Sequence, residues 1–416
     1  MATFLLIVYI LICILTLVFY FRRDYGAFQF PFLLACVNVT FVLPQLIAIR
    51  ASHSYEPGFL DLTLGSIVLC TLFANIGFHL GERAFRTNNQ RTIFKQRTSV
   101  VALLFFFVGS VAYYLNRGVY RGGFVEGEFV IINFFTGYVL YSLVLAFIGR
   151  KNRAIPSLLF WFIFIGVCLI YFDRIILSGR RSDTVRIVLI VSFFIAYLSK
   201  SKRIYRFVKW LIPLFFVVGM IVNTRVSDYR INAFDDVSFW DNVNSLDFSG
   251  AKDRIMNSSE GEIYLCALAI NHCEANDVYN YGASDWNRII HDFVPSVIVG
   301  RKTKESLMIK NDSDAFTSAL TASGATLTGY YDAFASFGLL GFIKFLLIGL
   351  LMGYVWHKKD SSDTSLMMYF CLLTSSLNIA THSTSFFTSG LLFFLIFVYS
   401  FMVIIQRRHL DYDNAL

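Results

Sequence analysis

Runs of about 18 or more apolar residues recur along this chain of 416 residues, and they constrain its fold more than any other feature. A helix of that length crosses the roughly 30 Å hydrocarbon core of a bilayer. Only 15% of the residues are charged, whereas an ordinary soluble domain carries about 25%. We therefore expect an all-α polytopic membrane protein.

The apolar runs predict about eleven transmembrane helices. They cover residues 3–20, 27–49, 62–80, 99–115, 130–148, 155–172, 184–199, 210–222, 326–356, 365–379 and 386–405. Three segments follow: residues 1–222 with eight spans, one large loop at residues 223–325, and residues 326–416 with three spans and a short tail. The first run lacks a basic region before it and a small-residue cleavage site after it, so we expect a retained anchor helix.

Lysine and arginine in short loops predict the orientation, because cytoplasmic loops are enriched in them. They concentrate after the odd-numbered spans, as in "GERAFRTNNQRTIFKQRT", "GRKNRA" and "KSKRIYRFVK". The N-terminus and the 223–325 loop are thus expected outside, and the C-terminus inside. That loop holds nine Lys or Arg against fifteen Asp or Glu. The net negative charge of this loop argues against a nucleic-acid partner. The basic residues of the inner loops are explained by the topology.

Four arginines lie where this topology disfavours them, in the outer hairpin "YFDRIILSGRRSDTVRIVLI". Arg174, Arg180 and Arg181 are candidates for binding a lipid diphosphate, because a guanidinium donates paired hydrogen bonds to phosphate. The fourth, Arg186, begins the seventh span and is expected to snorkel outward. The alternative is that these arginines meet lipid headgroups or pair with Asp173 and Asp183.

The stretch "SDWNRIIHDFVPS" in the large loop predicts a short amphipathic helix. Ser284 or Asp285 is expected to cap it, and a proline marks its end. Arg288 and His291 share its polar face with Asp292.

Further candidates come from these loops and from the ninth span. Arg288, together with Arg301 in "VGRKTKES", extends the candidate diphosphate-binding set. Asp332 is the only carboxylate in the ninth span, and an ionisable residue there is a functional candidate. Asp332 and His291 are the two candidate general bases. The alternative for Asp332 is an interfacial residue at the start of a helix.

Three other patterns concern helix packing, a disulfide and a metal site. The "GLLMG" at Gly349–Gly353 predicts close helix packing. A disulfide between Cys266 and Cys273 stays open, since it would need a bend in a helix. The "DSD" tripeptide at residues 312–314 fits a metal-bound nucleotide sugar, but it is frequent by chance. No metal or cofactor is expected.

These features together resemble the Wzy-type O-antigen and oligosaccharide repeat-unit polymerases of bacteria. The likeness rests on about eleven spans, one large outer loop late in the chain, and the stretches "SGRRSD", "RIIHDFVPSVIVGRK" and "TGYYDAFASFGLLG". The Arg-x₁₀-Gly pattern of that family is met only with one extra residue, between Arg288 and Gly300.

The resemblance implies a GT-C-like membrane glycosyltransferase in the bacterial inner membrane. Such an enzyme moves a growing glycan from undecaprenyl diphosphate onto another lipid-linked repeat unit at the outer face, without a metal. Its partners would be the lipid-linked donor and acceptor, membrane lipids and, as a candidate, a polysaccharide chain-length regulator. Two alternatives stay open: an O-antigen ligase of the same architecture, and a transporter (flippase) of lipid-linked glycans. The lack of internal repeats and the single mid-span charge, Lys344, disfavour the transporter.

Overall fold

The computed structural model describes residues 1–51, 58–84, 92–95, 97–117, 128–178, 181–199, 201–223, 261–310, 316–317, 319–320 and 326–408. Within them, eight helices are long and apolar enough to cross a membrane. They are Ala2–Arg22, Phe30–Ala51, Asp61–Arg83, Thr98–Leu115, Ile132–Lys151, Ser157–Ile175, Gly329–Asp360 and Ser385–Ile405. The expectation of a polytopic, all-α membrane protein is confirmed at this level.

The helices in the first half of the chain follow the apolar runs closely. They are α1 (Ala2–Arg22), α2 (Phe30–Val37), α3 (Leu43–Ala51), α4 (Asp61–Ala84), α5 (Thr98–Leu115), α6 (Glu128–Phe135), α7 (Tyr138–Lys151), α8 (Ser157–Ser178), α9 (Arg181–Ser199) and α10 (Lys202–Asn223). A π-helical turn, Asn38–Val42, joins α2 to α3.

The second half contains the loop helices and the last transmembrane helices. They are α11 (Glu262–Asn276), α12 (Ala283–Phe293), α13 (Ser296–Val299), α14 (Arg301–Leu307), α15 (Gly329–Phe337), α16 (Phe342–His357), α17 (Asp363–Asn378), α18 (Ser385–Phe393) and α19 (Tyr399–Ile405). A second π-helical turn, Phe394–Val398, joins α18 to α19. The three predicted spans that fall outside the eight lie on α9, α10 and α17, and the count of eleven stays a prediction.

The outer surface of the helix bundle is apolar, as a lipid-facing surface must be. On α8 the exposed side chains recur every three or four residues and form one stripe: Leu158, Trp161, Phe162, Ile165, Leu169 and Phe172. A contiguous apolar surface of this extent is uncommon on soluble monomers. This stripe therefore supports contact with hydrocarbon.

The predicted ninth span corresponds to the candidate span Gly329–Asp360, and this span is interrupted. A short 3₁₀ segment, Gly338–Gly341, separates α15 from α16. Gly338 has φ +60°, a conformation that side chains with a Cβ rarely adopt. A Cβ at Gly341 would lie 1.9 Å from the Ala333 carbonyl oxygen, so the chain also needs glycine there. The break places Lys344 near the start of α16 rather than in the middle of a helix.

Glycines bring α4 and α16 into backbone contact. A Cβ at Gly353 would lie 2.0 Å from the Phe78 carbonyl oxygen, and one at Gly77 would lie 2.1 Å from the Leu346 oxygen. Each helix carries two glycines four residues apart at this contact, which lets the backbones approach closely. The predicted packing role of "GLLMG" is confirmed.

The predicted inner loops contact one another at one end of the bundle. Two short strands, β1 (Thr92–Phe94) and β2 (Gln406–Arg408), pair antiparallel between the third loop and the C-terminal region. Other contacts at this end are Arg23 with Glu82, Asn152 with Phe94, Lys151 with Asp363 and Tyr197 with Asp360. The predicted outer segments also meet, through Arg117 with Asp173, Gln45 with Glu262 and Asn271 with Phe59. Predicted inner loops contact one another and predicted outer segments contact one another, which is consistent with spans that alternate in direction.

Candidate functional site

The predicted loop helix is present as α12, but its cap differs from the prediction. The N-cap is Gly282, at φ +85°, and no side chain caps the helix. Ser284 and Asp285 lie inside the first turn, and their side chains bond to other elements instead. Proline 295 follows the end of α12, as expected for a residue that cannot continue the helix.

Asp285 and Asp332 are held by one lysine, and we call this group the Lys344 clamp. Lys344 Nζ lies 2.6 Å from Asp285 Oδ2 and 3.4 Å from Asp332 Oδ2. Ser284 Oγ donates to Asp332 Oδ1 at 2.5 Å, and the Thr384 backbone N–H donates to Asp332 Oδ2 at 3.0 Å. The Thr384 hydroxyl also donates to Oδ2. The clamp joins α12 to α15, α16 and the start of α18.

These contacts bear on the predicted role of Asp332 as a base. The residue is buried, and both of its carboxylate oxygens already accept hydrogen bonds. A general base needs a lone pair directed at the proton that it removes. The geometry therefore favours Asp332 as an anchor for α12 over Asp332 as a proton acceptor.

Asp292 is the centre of a second polar group, at the other end of α12. His291 Nδ1 lies 2.9 Å from Asp292 Oδ1, and Arg288 Nε lies 2.6 Å from Oδ2. Ser389 Oγ on α18 donates to Oδ2 at 2.5 Å. Burial would raise the pKa of Asp292, but the His291 hydrogen bond, the Arg288 charge and the Ser389 hydroxyl hold that pKa below its ordinary value of 3.8. Asp292 therefore stays ionised and can orient its partners.

The His291–Asp292 contact gives the imidazole a defined orientation. A carboxylate at Nδ1 accepts that N–H and leaves Nε2 as the unprotonated nitrogen of the neutral ring. The His291 side chain is 47% exposed, and no described contact occupies Nε2. Of the two predicted bases, His291 has the geometry of a proton acceptor.

Beside this group lies a cavity of about 180 Å³ between α6, α7, α8, α9, α12, α17 and α18. Its lining includes Arg186 and Arg288, with the polar side chains of Tyr141, Thr374 and Asn378. Pockets for whole small-molecule ligands usually measure about 300–1,000 Å³. The cavity therefore suits a headgroup-sized anion rather than an entire saccharide.

Arg186 is the functional candidate that the sequence analysis did not select. Its Nη1 lies 3.7 Å from Asp183 Oδ1, while the buried Arg174 holds the same carboxylate through Nε at 2.7 Å from Oδ2. Arg174 thus compensates Asp183, and the Arg186 Nε has no hydrogen-bond partner among the described residues. The alternative considered for Arg174, pairing with Asp183, is what the structure shows. The i, i+3 spacing of Asp183 and Arg186 was the sequence signal.

The remaining predicted arginines are not brought to this cavity by any described contact. Arg301 is on α14, where its exposed side chain pairs with Glu305 on the same helix. Arg181 is the first residue of α9, and Arg180 lies outside the described residues. Cys266 and Cys273 are both free and buried on α11, so they form no disulfide.

Comparison of the chain with protein-family models, with curated proteins and with solved structures found no match.

Proposed function

We propose that this chain is a bacterial polysaccharide polymerase that joins undecaprenyl-diphosphate-linked oligosaccharide repeat units at the outer face of the inner membrane. The observation that carries the proposal is the cavity that Arg186 and Arg288 line. Ser389, which also lines it, bonds to Asp292 of the His291–Asp292 pair. About eleven spans in a GT-C-like arrangement belong to the same proposal.

The charges around the cavity suit a diphosphate. Arg174 and Arg186 share Asp183, which leaves one net positive charge there, and Arg288 balances Asp292. The polyprenyl diphosphate is the leaving group, so negative charge develops on its oxygen as the glycosidic bond breaks. Arginines that are already held at that position before the reaction stabilise the developing charge more than water does. Arg186 and Arg288 would have this role, and Arg174 would keep Asp183 from neutralising Arg186.

His291 supplies the acid–base chemistry in this proposal. Its Nε2 accepts the proton of the acceptor sugar hydroxyl as that oxygen attacks the anomeric carbon of the donor glycan. The new carbon–oxygen bond forms while the anomeric carbon–phosphate oxygen bond breaks, and the diphosphate leaves with the bonding electrons. Asp292 stabilises the imidazolium that results. Asp332 would anchor α12 and thus position Arg288 and His291.

The orientation in this proposal follows from the basic loops. The end that carries β1, β2, Arg150 and Lys151 would be cytoplasmic. The cavity and α12 belong to the other end, where donors and acceptors carried on a lipid would arrive.

The test is the length of the surface glycan in a host that lacks the gene. The strain is complemented with wild type, Arg186→Ala, Arg288→Ala, His291→Ala or Arg301→Ala, and the glycan is separated on a gel. We expect the three site variants to lose the ladder and leave single repeat units attached, because removing one such donor costs about 100-fold or more in rate. Arg301→Ala is the matched control and should keep the ladder, with all proteins at equal levels in the membrane.

Other outcomes separate the alternatives. Lipid-linked polymer that accumulates without being attached would favour the ligase. A normal ladder in the deletion strain would overturn both enzymatic functions, and accumulation of unflipped repeat units inside the cell would favour the transporter. Loss of the ladder in Arg301→Ala, with the ladder retained in Arg186→Ala, would move the diphosphate site away from the cavity.

A further inference from the structure

The loop segment 296–309, which contains α13 and α14, exposes apolar side chains. Val297 is 60% exposed and Ile298 is 77% exposed, and Leu307 and Ile309 are also exposed. In water, such a cluster next to a binding site would be costly. The depth of segment 296–309 relative to the transmembrane helices indicates which medium its apolar side chains contact.

Two hydrogen bonds show that α12 crosses α18 steeply. Asp285 Oδ1 accepts from the Thr388 hydroxyl at 3.0 Å, and Asp292 Oδ2 accepts from the Ser389 hydroxyl at 2.5 Å. Seven residues of helix span roughly 10 Å, yet the two partners are adjacent residues of α18. Because α18 begins a candidate membrane-spanning helix, α12 would lie near the plane of the membrane.

The C-terminal end of α12 reaches the apolar part of the bundle. The Phe293 ring lies 5.4 Å from the Phe134 ring and 6.5 Å from the Phe397 ring, measured between centroids. Phe397 is well inside the span Ser385–Ile405. The segment that follows Phe293 therefore begins beside the spans Ile132–Lys151 and Ser385–Ile405.

The segment is fixed at this depth because it folds back onto α12. Trp286 Nε1 donates to the Leu307 carbonyl at 2.8 Å, and Asn287 bonds to both the N–H and the carbonyl of Ile309 at 2.8 Å. Lys304 Nζ donates to the His291 carbonyl at 2.8 Å. These hydrogen bonds hold the segment beside α12, so its apolar side chains stay exposed.

The charges of the segment complement a lipid surface. Residues 296–310 contain four basic residues and one acidic residue, although the whole 223–325 loop is acidic. Arg301 is 88% exposed in its side chain. Apolar residues beside exposed basic ones are typical of helices that lie in the headgroup layer of a bilayer.

We propose that segment 296–309 inserts its apolar side chains into the membrane leaflet at this end of the bundle. Val297, Ile298, Leu307 and Ile309 would enter the acyl boundary, and Arg301 and Lys302 would contact lipid phosphates. This inference does not depend on the proposed enzymatic activity, because it rests on depth, exposure and charge.

The test measures depth directly in the full chain. Ile298→Cys and Tyr281→Cys are labelled with an environment-sensitive fluorophore and reconstituted in vesicles of phosphatidylethanolamine and phosphatidylglycerol with nitroxide-labelled lipid. Tyr281 is 75% exposed and lies outside segment 296–309, so it is the matched control. The parent chain, labelled in the same way, gives the background from Cys168 and Cys371, the native cysteines that are not fully buried.

We expect nitroxide lipid to quench the label at position 298 at least twofold more than the label at position 281, with a blue-shifted emission. Equal, weak quenching with water-like emission at both positions would overturn the proposal. Blue-shifted emission at 298 without lipid quenching would also overturn it, since the rest of the loop or a second protein would then cover the segment. A second label site, Val297→Cys, guards against misfolding of one variant.

Discussion

Replacing Lys344 by methionine should destabilise the protein, because the substitution removes the one cation that two carboxylates share. The Lys344, Asp285 and Asp332 side chains are 14%, 22% and 5% exposed, so water replaces the lost charge only in part. Removing one partner of a buried ion pair costs about 3–5 kcal/mol. Asp332 keeps three donors from Ser284 and Thr384, so we expect the lower end, about 3 kcal/mol.

The assay is unfolding in mixed micelles with increasing dodecyl sulfate, followed by tryptophan fluorescence. Lys302→Met is the control, since Lys302 is exposed, and its effect should stay within about 0.5 kcal/mol. The double variant Lys344→Met with Asp332→Asn should recover part of the loss, by about 1 kcal/mol or more, because neighbouring sites that share a contact couple. An unfolding free energy for Lys344→Met equal to that of Lys302→Met would refute the reasoning.

Three further predictions concern packing, hydrogen bonding and pH. Gly353→Leu should prevent folding or force α4 and α16 apart, because even its Cβ would collide with the Phe78 carbonyl; size-exclusion chromatography of the detergent-extracted protein would show aggregation. Tyr138→Phe should cost about 1 kcal/mol, since the Tyr138 hydroxyl donates to the Phe397 carbonyl in the second π-helical turn at 2.9 Å; the same micelle assay measures it, and no change would argue against that bond. Asp292 has a pKa below its value in the unfolded chain, so it stabilises the fold above about pH 4 and loses that contribution as the pH falls through its folded pKa. Asp292→Asn should lack this part of the acid destabilisation, and identical acid unfolding curves would contradict it.

Periodicity and composition were sufficient to predict the class of fold. The lengths of the apolar runs correspond to the described helices, because a segment that crosses hydrocarbon must satisfy its backbone hydrogen bonds internally. The glycine pair at Gly349 and Gly353 predicted helix packing for the same local reason: without a Cβ, a backbone can approach. The polar face of α12 was also predicted, since i, i+3 and i+4 neighbours meet on any helix.

The cap of α12 was not predicted correctly, because it depends on contacts that are distant in sequence, and the break near Gly338 was not predicted. Ser284 and Asp285 are good N-cap residues in isolation. Here Asp332 and Lys344, about 50 residues later in the chain, take their side chains as partners. A capping rule that considers only residues near the helix end cannot account for these distant partners.

The sequence alone determined that the chain has the apolar spans of a polytopic membrane protein, which runs form helices, and that Lys and Arg concentrate in alternate loops. These follow from local hydrophobicity and from charges in short loops. Only the tertiary structure decided which arginines meet in one cavity, that Asp183 is shared by Arg174 and Arg186, and that both Asp332 carboxylate oxygens accept hydrogen bonds. The physical reason is that the free energy of a buried charge depends on the partners around it, and folding brings those partners from helices far apart in the chain.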